Sequence, residues 1–230
     1  MNISMNVKSH VFVLALSVML MSGITSYAQR SNDQMVAVIP CDSTLSANLL
    51  NSERIEKKFG AYGIDVLYNS TSLRVSNLYD GKKITRTLAI VNYPEIIDSS
   101  FSKEHQQVVN GGSIGSTFKA QGWKIEKKTI YLGELSPSTD YSALYKLMGN
   151  IAPQKLSIWM YVFYIQKNGK EYPYVTISEI YHPDYLSLAD LRCINKDADA
   201  YLKQTKTVTR KLKEVTKLMT LKFNEQKDKN

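Results

Sequence analysis

Two arginines and one glutamate stand on strand-like stretches, Arg86 and Glu179 in alternation with apolar neighbours. Arg74 precedes an Asp80-Gly81 turn signal, and Arg86 follows it on the alternation of Ile84, Leu88 and Ile90. Glu179 shares the alternation of Val175, Ile177 and Tyr181. A carboxylate on such an apolar face is either buried with a partner or lines a pocket. Between these strands, Gly111-Gly112-Ser113-Ile114-Gly115 forms a glycine-rich loop leading into a short apolar segment. The chemistry open to this set is recognition of an anion. A guanidinium fork grips a carboxylate in two places, and a glutamate at the far end can accept a hydroxyl proton. The plain alternative makes Arg74 and Glu179 a structural ion pair, with Arg86 as framework. Geometry separates the two readings: contact within about 4 Å is a bridge, whereas an open gap leaves room for a ligand. On the ligand reading, Arg74→Ala is expected to abolish carboxylate binding and leave the fold nearly as stable.

Other chemistries find little support. No serine or cysteine has the setting of an activated nucleophile. His182 beside Asp184 is interrupted by Pro183, which reads as a turn. Two cysteines and three scattered histidines offer no metal-ligand spacing. Neither a metal nor a cofactor is expected. An oxidising compartment would permit a disulfide between Cys41 and Cys193, and two separate thiols remain the alternative.

The elements that must position these groups follow from periodicity. A cap at Ser43 or Thr44 opens a helix through Leu45, Leu49, Ile55 and Phe59, stopped by Gly60. The period then falls to two, predicting strands from Ile64, over Leu73–Tyr79 and over Ile84–Tyr93, the last ended by Pro94. Short helices are expected over Ser102–Val109 and Ser113–Phe118, then a strand over Trp123–Leu132 and a helix over Ser138–Met148. Lys155–Gln166 is the most apolar strand, and Asn168-Gly169 is the sharpest hairpin signal, joining it to Glu171–Tyr181. Hairpins outnumber crossovers. The expected class is therefore α+β, a mostly antiparallel sheet with helices on one side.

Taken in order, these stretches resemble the chorismate lyase family. The likeness lies in LRVSNLYDGKKITRTLAIVNYP, then VNGGSIGSTF, then TISEIYHP, with NSERIEKKFG ahead of them as the opening helix. It spans about residues 50 to 185. The family folds as an antiparallel sheet with a buried, water-poor cavity under helical flaps, and splits chorismate into an aromatic hydroxyacid and pyruvate without a cofactor. The resemblance implies that Arg74 grips a ligand carboxylate, Arg86 adds positive charge, Ile114 walls the site and Glu179 faces the ligand's hydroxyl end. If the chain is an enzyme, Arg74 and Glu179 are the catalytic candidates. The sequence departs from the family at Gly111-Gly112-Ser113 and at Tyr181-His182-Pro183-Asp184.

The chain ends frame this domain. Residues 1–28 read as a signal peptide: Lys8, an apolar run over Val11–Met21, and small residues at Ser26 and Ala28. The Tyr-Ala-Gln ending resembles those of exported bacterial proteins, so a periplasmic or secreted location is expected. Processing removes one lysine and no acid, leaving 28 basic against 21 acidic residues, or +7. Export argues against nucleic acid as the partner. Residues 29–41 read as an extended leader, 42–195 as the domain and 196–230 as a basic C-terminal helix and tail. In that helix, expected over 197–223, Leu202, Val208, Leu212, Val215 and Leu218 form an apolar stripe amid lysines. It either docks on the domain or meets an anionic membrane or a partner. Three functions follow as expectations: an exported binder of an anionic, aromatic carboxylate; a cofactor-free chorismate-type lyase; and a non-catalytic envelope protein acting through the basic helix.

Overall fold

The computed structural model describes residue 46 and residues 49–195. The expected signal peptide, the leader, Cys41 and the C-terminal helix lie outside the described residues. The elements run α1 (Asn51–Phe59), β1 (Gly63–Asn69), β2 (Leu73–Tyr79), β3 (Thr85–Asn92), α2 (Ser102–Val109), α3 (Ile114–Ala120), β4 (Lys124–Leu135), α4 (Ser142–Leu147), β5 (Leu156–Lys167), β6 (Lys170–Tyr181) and α5 (Leu188–Ile194). Single 3₁₀ turns at Ser99–Phe101 and Thr139–Tyr141 lead into α2 and α4. The six strands form one open sheet in the order β1-β2-β3-β6-β5-β4, and every neighbouring pair is antiparallel. The fold is α+β.

Local signals explain the boundaries. Gly60 ends α1 at φ 79°, a conformation open to glycine at little cost. Asn168 and Gly169 both have positive φ, at 53° and 75°, and join β5 to β6 as the two-residue hairpin that Asn-Gly favours. The Asp80-Gly81 signal yields a longer turn. Lys83 N–H donates to the Asp80 carbonyl, and Lys83, not Gly81, takes the positive φ. The helix expected from Ser43 or Thr44 begins only at Asn51, where Glu53 reaches back to accept from Leu50 N–H.

The sheet is apolar on both faces, and the helices are not all on one side. Ile55 of α1, Val108 of α2, Phe118 of α3 and Leu191 of α5 pack on the face that carries Ala89, Val91, Tyr161, Phe163 and Ile177. Leu144 and Tyr145 of α4, with Met148, cover the opposite face over Leu88, Ile90, Ile158 and Ile180. This corrects the one-sided expectation. Strands β3, β5 and β6 alternate with apolar residues on both parities, so each face must be covered to bury them. No helix among the described residues is long and apolar enough to cross a membrane.

Candidate functional site

Strand register places the site. Ser76, Ala89, Glu179 and Trp159 lie side by side across β2, β3, β6 and β5. The neighbouring row is Arg74, Val91, Ile177, Tyr161 and, on β4, Thr129. Both rows face the four-helix layer. Small side chains at Ser76 and Ala89 leave a hollow between the two charged groups. The hollow is roofed by the N-terminal residues of α1, Asn51 and Ser52, and by Ser113, Ile114 and Gly115 at the start of α3. Lys119 of α3 pairs with Glu53 of α1 and ties the two roof helices together. The cavity holds about 60 Å³ of water-accessible space and is partly open.

Arg74, Ile114 and Glu179 all line this cavity. Arg74 and Glu179 form no ion pair. They sit two strands and one side-chain row apart, roughly 12 Å between Cα atoms from strand spacings. Arg74 is 1% exposed and has no carboxylate partner among the described residues. Its Nε donates to Ser76 Oγ at 2.8 Å, and its Nη1 donates to the carbonyls of Val108 at 2.7 Å and Gly112 at 2.8 Å. Nη2 reaches the Gly111 carbonyl at 3.5 Å. The guanidinium therefore clamps the glycine loop where α2 ends, and its charge faces the negative end of that helix. Gly111 holds φ 105° here. A Cβ on Gly115 would meet Leu50 side-chain carbon at 2.7 Å, so any larger residue there must displace the Leu50 side chain.

Glu179, 4% exposed, accepts from Asn51 Nδ2 at 3.0 Å and from the Tyr181 hydroxyl at 2.6 Å. Asn51 is itself fixed: its Nδ2 donates to Thr87 Oγ1 at 3.0 Å and its side-chain Oδ1 accepts from the Tyr185 hydroxyl at 2.6 Å. Burial, and then the Glu179 charge, push the Tyr161 and Tyr181 phenols well above their usual range.

Arg86 does not line the cavity, contrary to its expected role as added positive charge. It shares the parity of Leu88 and Ile90, which enter the opposite layer, and it sits at the register shift between β2 and β3. Its Nε and Nη2 both donate to Asp80 Oδ2, at 2.9 and 2.6 Å, and its plane lies 4.0 Å from the Phe59 ring centre. Burial raises the Asp80 carboxyl, but Arg86 and the N–H groups of Ile84 and Lys82 outweigh it and hold the carboxyl below its usual range. His182 accepts from Asp184 N–H at Nδ1, leaving Nε2 to meet the Met148 carbonyl. This is a turn held by a histidine.

No family model matches this chain, and no curated protein matches it. The residues must speak for themselves, and the most informative one was missed in the sequence. Lys127 of β4 lines the cavity. Its Nζ lies 4.9 Å from the ring centres of both Trp159 and Tyr161, and it has no hydrogen bond or ion pair with any described residue. Burial lowers its ammonium to about 8, the Glu179 charge opposing this and Arg54 adding to it. In the sequence Lys127 hides within KIEKK, which reads as a charged edge strand. Parity was the available signal, since Trp123, Ile125 and Thr129 share its face. Asn51 and Ser52 were missed too, because no local pattern marks them, and the Trp159-Met160-Tyr161 run reads in the sequence as core rather than as a ligand cage.

Among the described residues there is no cluster of three or more His, Cys, Asp or Glu that could hold a metal. Cys193 of α5 is disulfide-bonded.

A half-buried ammonium set against aromatic faces, with no hydrogen-bond partner among the described residues, is a cost to the fold, which gives an expected result. Lys127→Met should keep the fold and melt at the same or a higher temperature at pH 7, because an apolar side chain of similar length suits the aromatic walls. The wild-type ammonium titrates near 8 in the fold and near ~10.4 unfolded. Between these values the unfolded chain holds more protons, so wild-type stability should rise with pH there. The Met variant should lack that rise. Thermal melts from pH 7 to 10.5 check both statements.

Proposed function

We propose that this protein binds a small carboxylate in the cavity between the sheet and the α1–α3 roof. The observation that carries the reading is the charge arrangement: two cations, Arg74 and Lys127, and one carboxylate, Glu179, line one hollow with no ion pair among them. The local sum is +1, which one carboxylate neutralises. Lys127 spends none of its three ammonium donors on a described residue, while Arg74 spends most of its own on the Ser76 hydroxyl and the carbonyls of Val108, Gly111 and Gly112. Lys127 is thus the stronger candidate for direct contact, and Arg74 supplies charge from behind the glycine loop. Glu179, held by Asn51 and Tyr181, is suited to a hydroxyl or amine at the other end.

Size refines the ligand. A cavity of about 60 Å³ has room for roughly four to six waters, so a ligand of about six non-hydrogen atoms fits. An aromatic acid requires the roof to lift. The likeness to the chorismate lyase family, with its cavity under helical flaps, supports a retained pocket, and the signal-peptide-like pattern of residues 1–28 supports a ligand met outside the cytoplasm.

The test is a thermal-shift and calorimetric titration of the purified protein with acetate, pyruvate, 4-hydroxybenzoate and chorismate. Short carboxylates should raise the melting temperature in a concentration-dependent way, and Lys127→Met should remove the shift. Appearance of hydroxybenzoate from chorismate would favour the lyase reading over simple binding. Failure of every carboxylate to shift the melt at millimolar concentration would overturn the proposal.

A further inference from the structure

We infer that Lys127 is a carbonyl-capturing amine, condensing through its Nζ with a short-chain 2-oxo acid to form an imine inside the cavity. This rests on the carboxylate-binding reading and adds to it the reacting bond and the substrate class.

Three observations converge. First, Lys127 Nζ makes no hydrogen bond or ion pair with any described residue, and its contacts are the faces of Trp159 and Tyr161. A lysine placed only to balance charge would sit against a carboxylate, as Lys119 and Lys128 do with Glu53 and Glu171. Second, the same cavity holds the two groups that such a condensation uses: the Arg74 charge for the substrate carboxylate and Glu179 for proton transfer. Third, the volume of about 60 Å³ matches a compact oxo acid.

Attack requires a neutral amine. The groups facing Lys127 are Glu179 of β6, Tyr161 and Trp159 of β5, Arg74 of β2, and Arg54 and Glu53 of α1. Desolvation among them brings the ammonium to about 8. Relative to a solvated lysine near ~10.4, this raises the neutral fraction at pH 7 by roughly two orders of magnitude.

The step balances as follows. Glu179 takes a proton from the ammonium, and the freed lone pair attacks C2 of the oxo acid. The carbonyl π pair moves to oxygen, which takes one proton from the attacking nitrogen and a second from Glu179 and leaves as water, the nitrogen lone pair closing the C=N bond. An oxo-acid anion and a lysine ammonium thus become an iminium carboxylate and one water, with no net redox change. The iminium stays next to Glu179, and the carboxylate stays in the field of Arg74.

Reductive trapping tests the inference. The full-length protein is incubated at pH 7 with glyoxylate or pyruvate and sodium borohydride, then digested and mapped by mass spectrometry. The expected result is one reduced adduct, at Lys127, formed roughly 100-fold faster than at any surface lysine. Lys127→Arg should form no adduct at position 127. Glu179→Gln should slow trapping more than it weakens binding. Modification spread evenly over surface lysines, or Lys127 left unmodified while pyruvate still shifts the melt, overturns the imine and leaves the carboxylate site standing. Absence of both the adduct and the thermal shift overturns both.

Discussion

Arg74→Ala should destabilise the protein by about 3–5 kcal/mol, lowering the melting temperature by roughly 6–20 °C. This departs from the outcome that the ligand reading of the sequence implies, a fold nearly as stable without Arg74, and agrees with the structural alternative. The reason lies in its partners. Arg74 donates to Ser76 Oγ and to the carbonyls of Val108 and Gly112, with Gly111 at the limit of range. Alanine leaves these carbonyls near the end of α2 without their donors, at about 1–3 kcal/mol for each buried group. The roof over the cavity follows the loop, because Ser113 and Ile114 continue directly from Gly112. Arg74→Lys should recover only part of the loss, since one ammonium does not reproduce a fork spread over several acceptors. Urea unfolding of the three proteins measures this. A melting temperature for the alanine variant within about 2 °C of the parent would show that the clamp is not structural. Lost carboxylate binding in Arg74→Ala therefore does not by itself report ligand contact, and the Lys127 variants carry that test.

A loss of similar size is expected from Asp80→Ala. The change leaves the Arg86 guanidinium buried without its carboxylate and strips Lys82 and Ile84 N–H of their acceptor. Breaking one half of a buried pair costs about 3–5 kcal/mol. Replacing both partners, as Asp80→Ala with Arg86→Met, should cost less than the single change, because no charge is then stranded. The same groups set the acid response. His182 is held below its usual range by burial and then by Arg86, so below about pH 6.5 the unfolded chain takes up a proton first and stability falls. Asp80 is also depressed. Its contribution is full above the unfolded carboxyl value of about 4 and is lost as pH falls through the lower folded value. Acid unfolding of the parent should therefore steepen below pH 4, and Asp80→Ala should show a weaker second stage, the rest coming from Glu53, Asp98 and Glu171, which are depressed as well. Equilibrium denaturation across pH 3–7.5 decides the matter, and identical profiles for parent and variant would contradict it.

The sequence by itself determined the α+β class, because period-two stretches joined by turn signals leave few alternatives to an antiparallel sheet. Asn168-Gly169 specified its hairpin through the positive φ that both residues adopt. Gly60 marked the end of α1 in the same way. Alternation was enough to place Glu179 with Val175, Ile177 and Tyr181 on one buried face, since parity along a strand is local. It also carried the answer for Arg86, whose parity with Leu88 and Ile90 points away from the face that Glu179 shares.

Tertiary structure decided what depended on neighbours distant in sequence. That α4 crosses to the second face follows from both parities of the central strands being apolar, but which helix goes there is a matter of chain path. Whether Arg74 meets a carboxylate or a loop depends on where α2 ends relative to β2, and residues 74 and 108–112 meet only in the folded chain. Lys127 reads locally as one charge in an edge strand. Only the pairing of β4 with β5, and the roof formed by α1 and α3, turn that lysine into an ammonium enclosed by aromatic rings beside Glu179. Desolvation is a property of everything that surrounds a group, so no local pattern of residue types could reveal it.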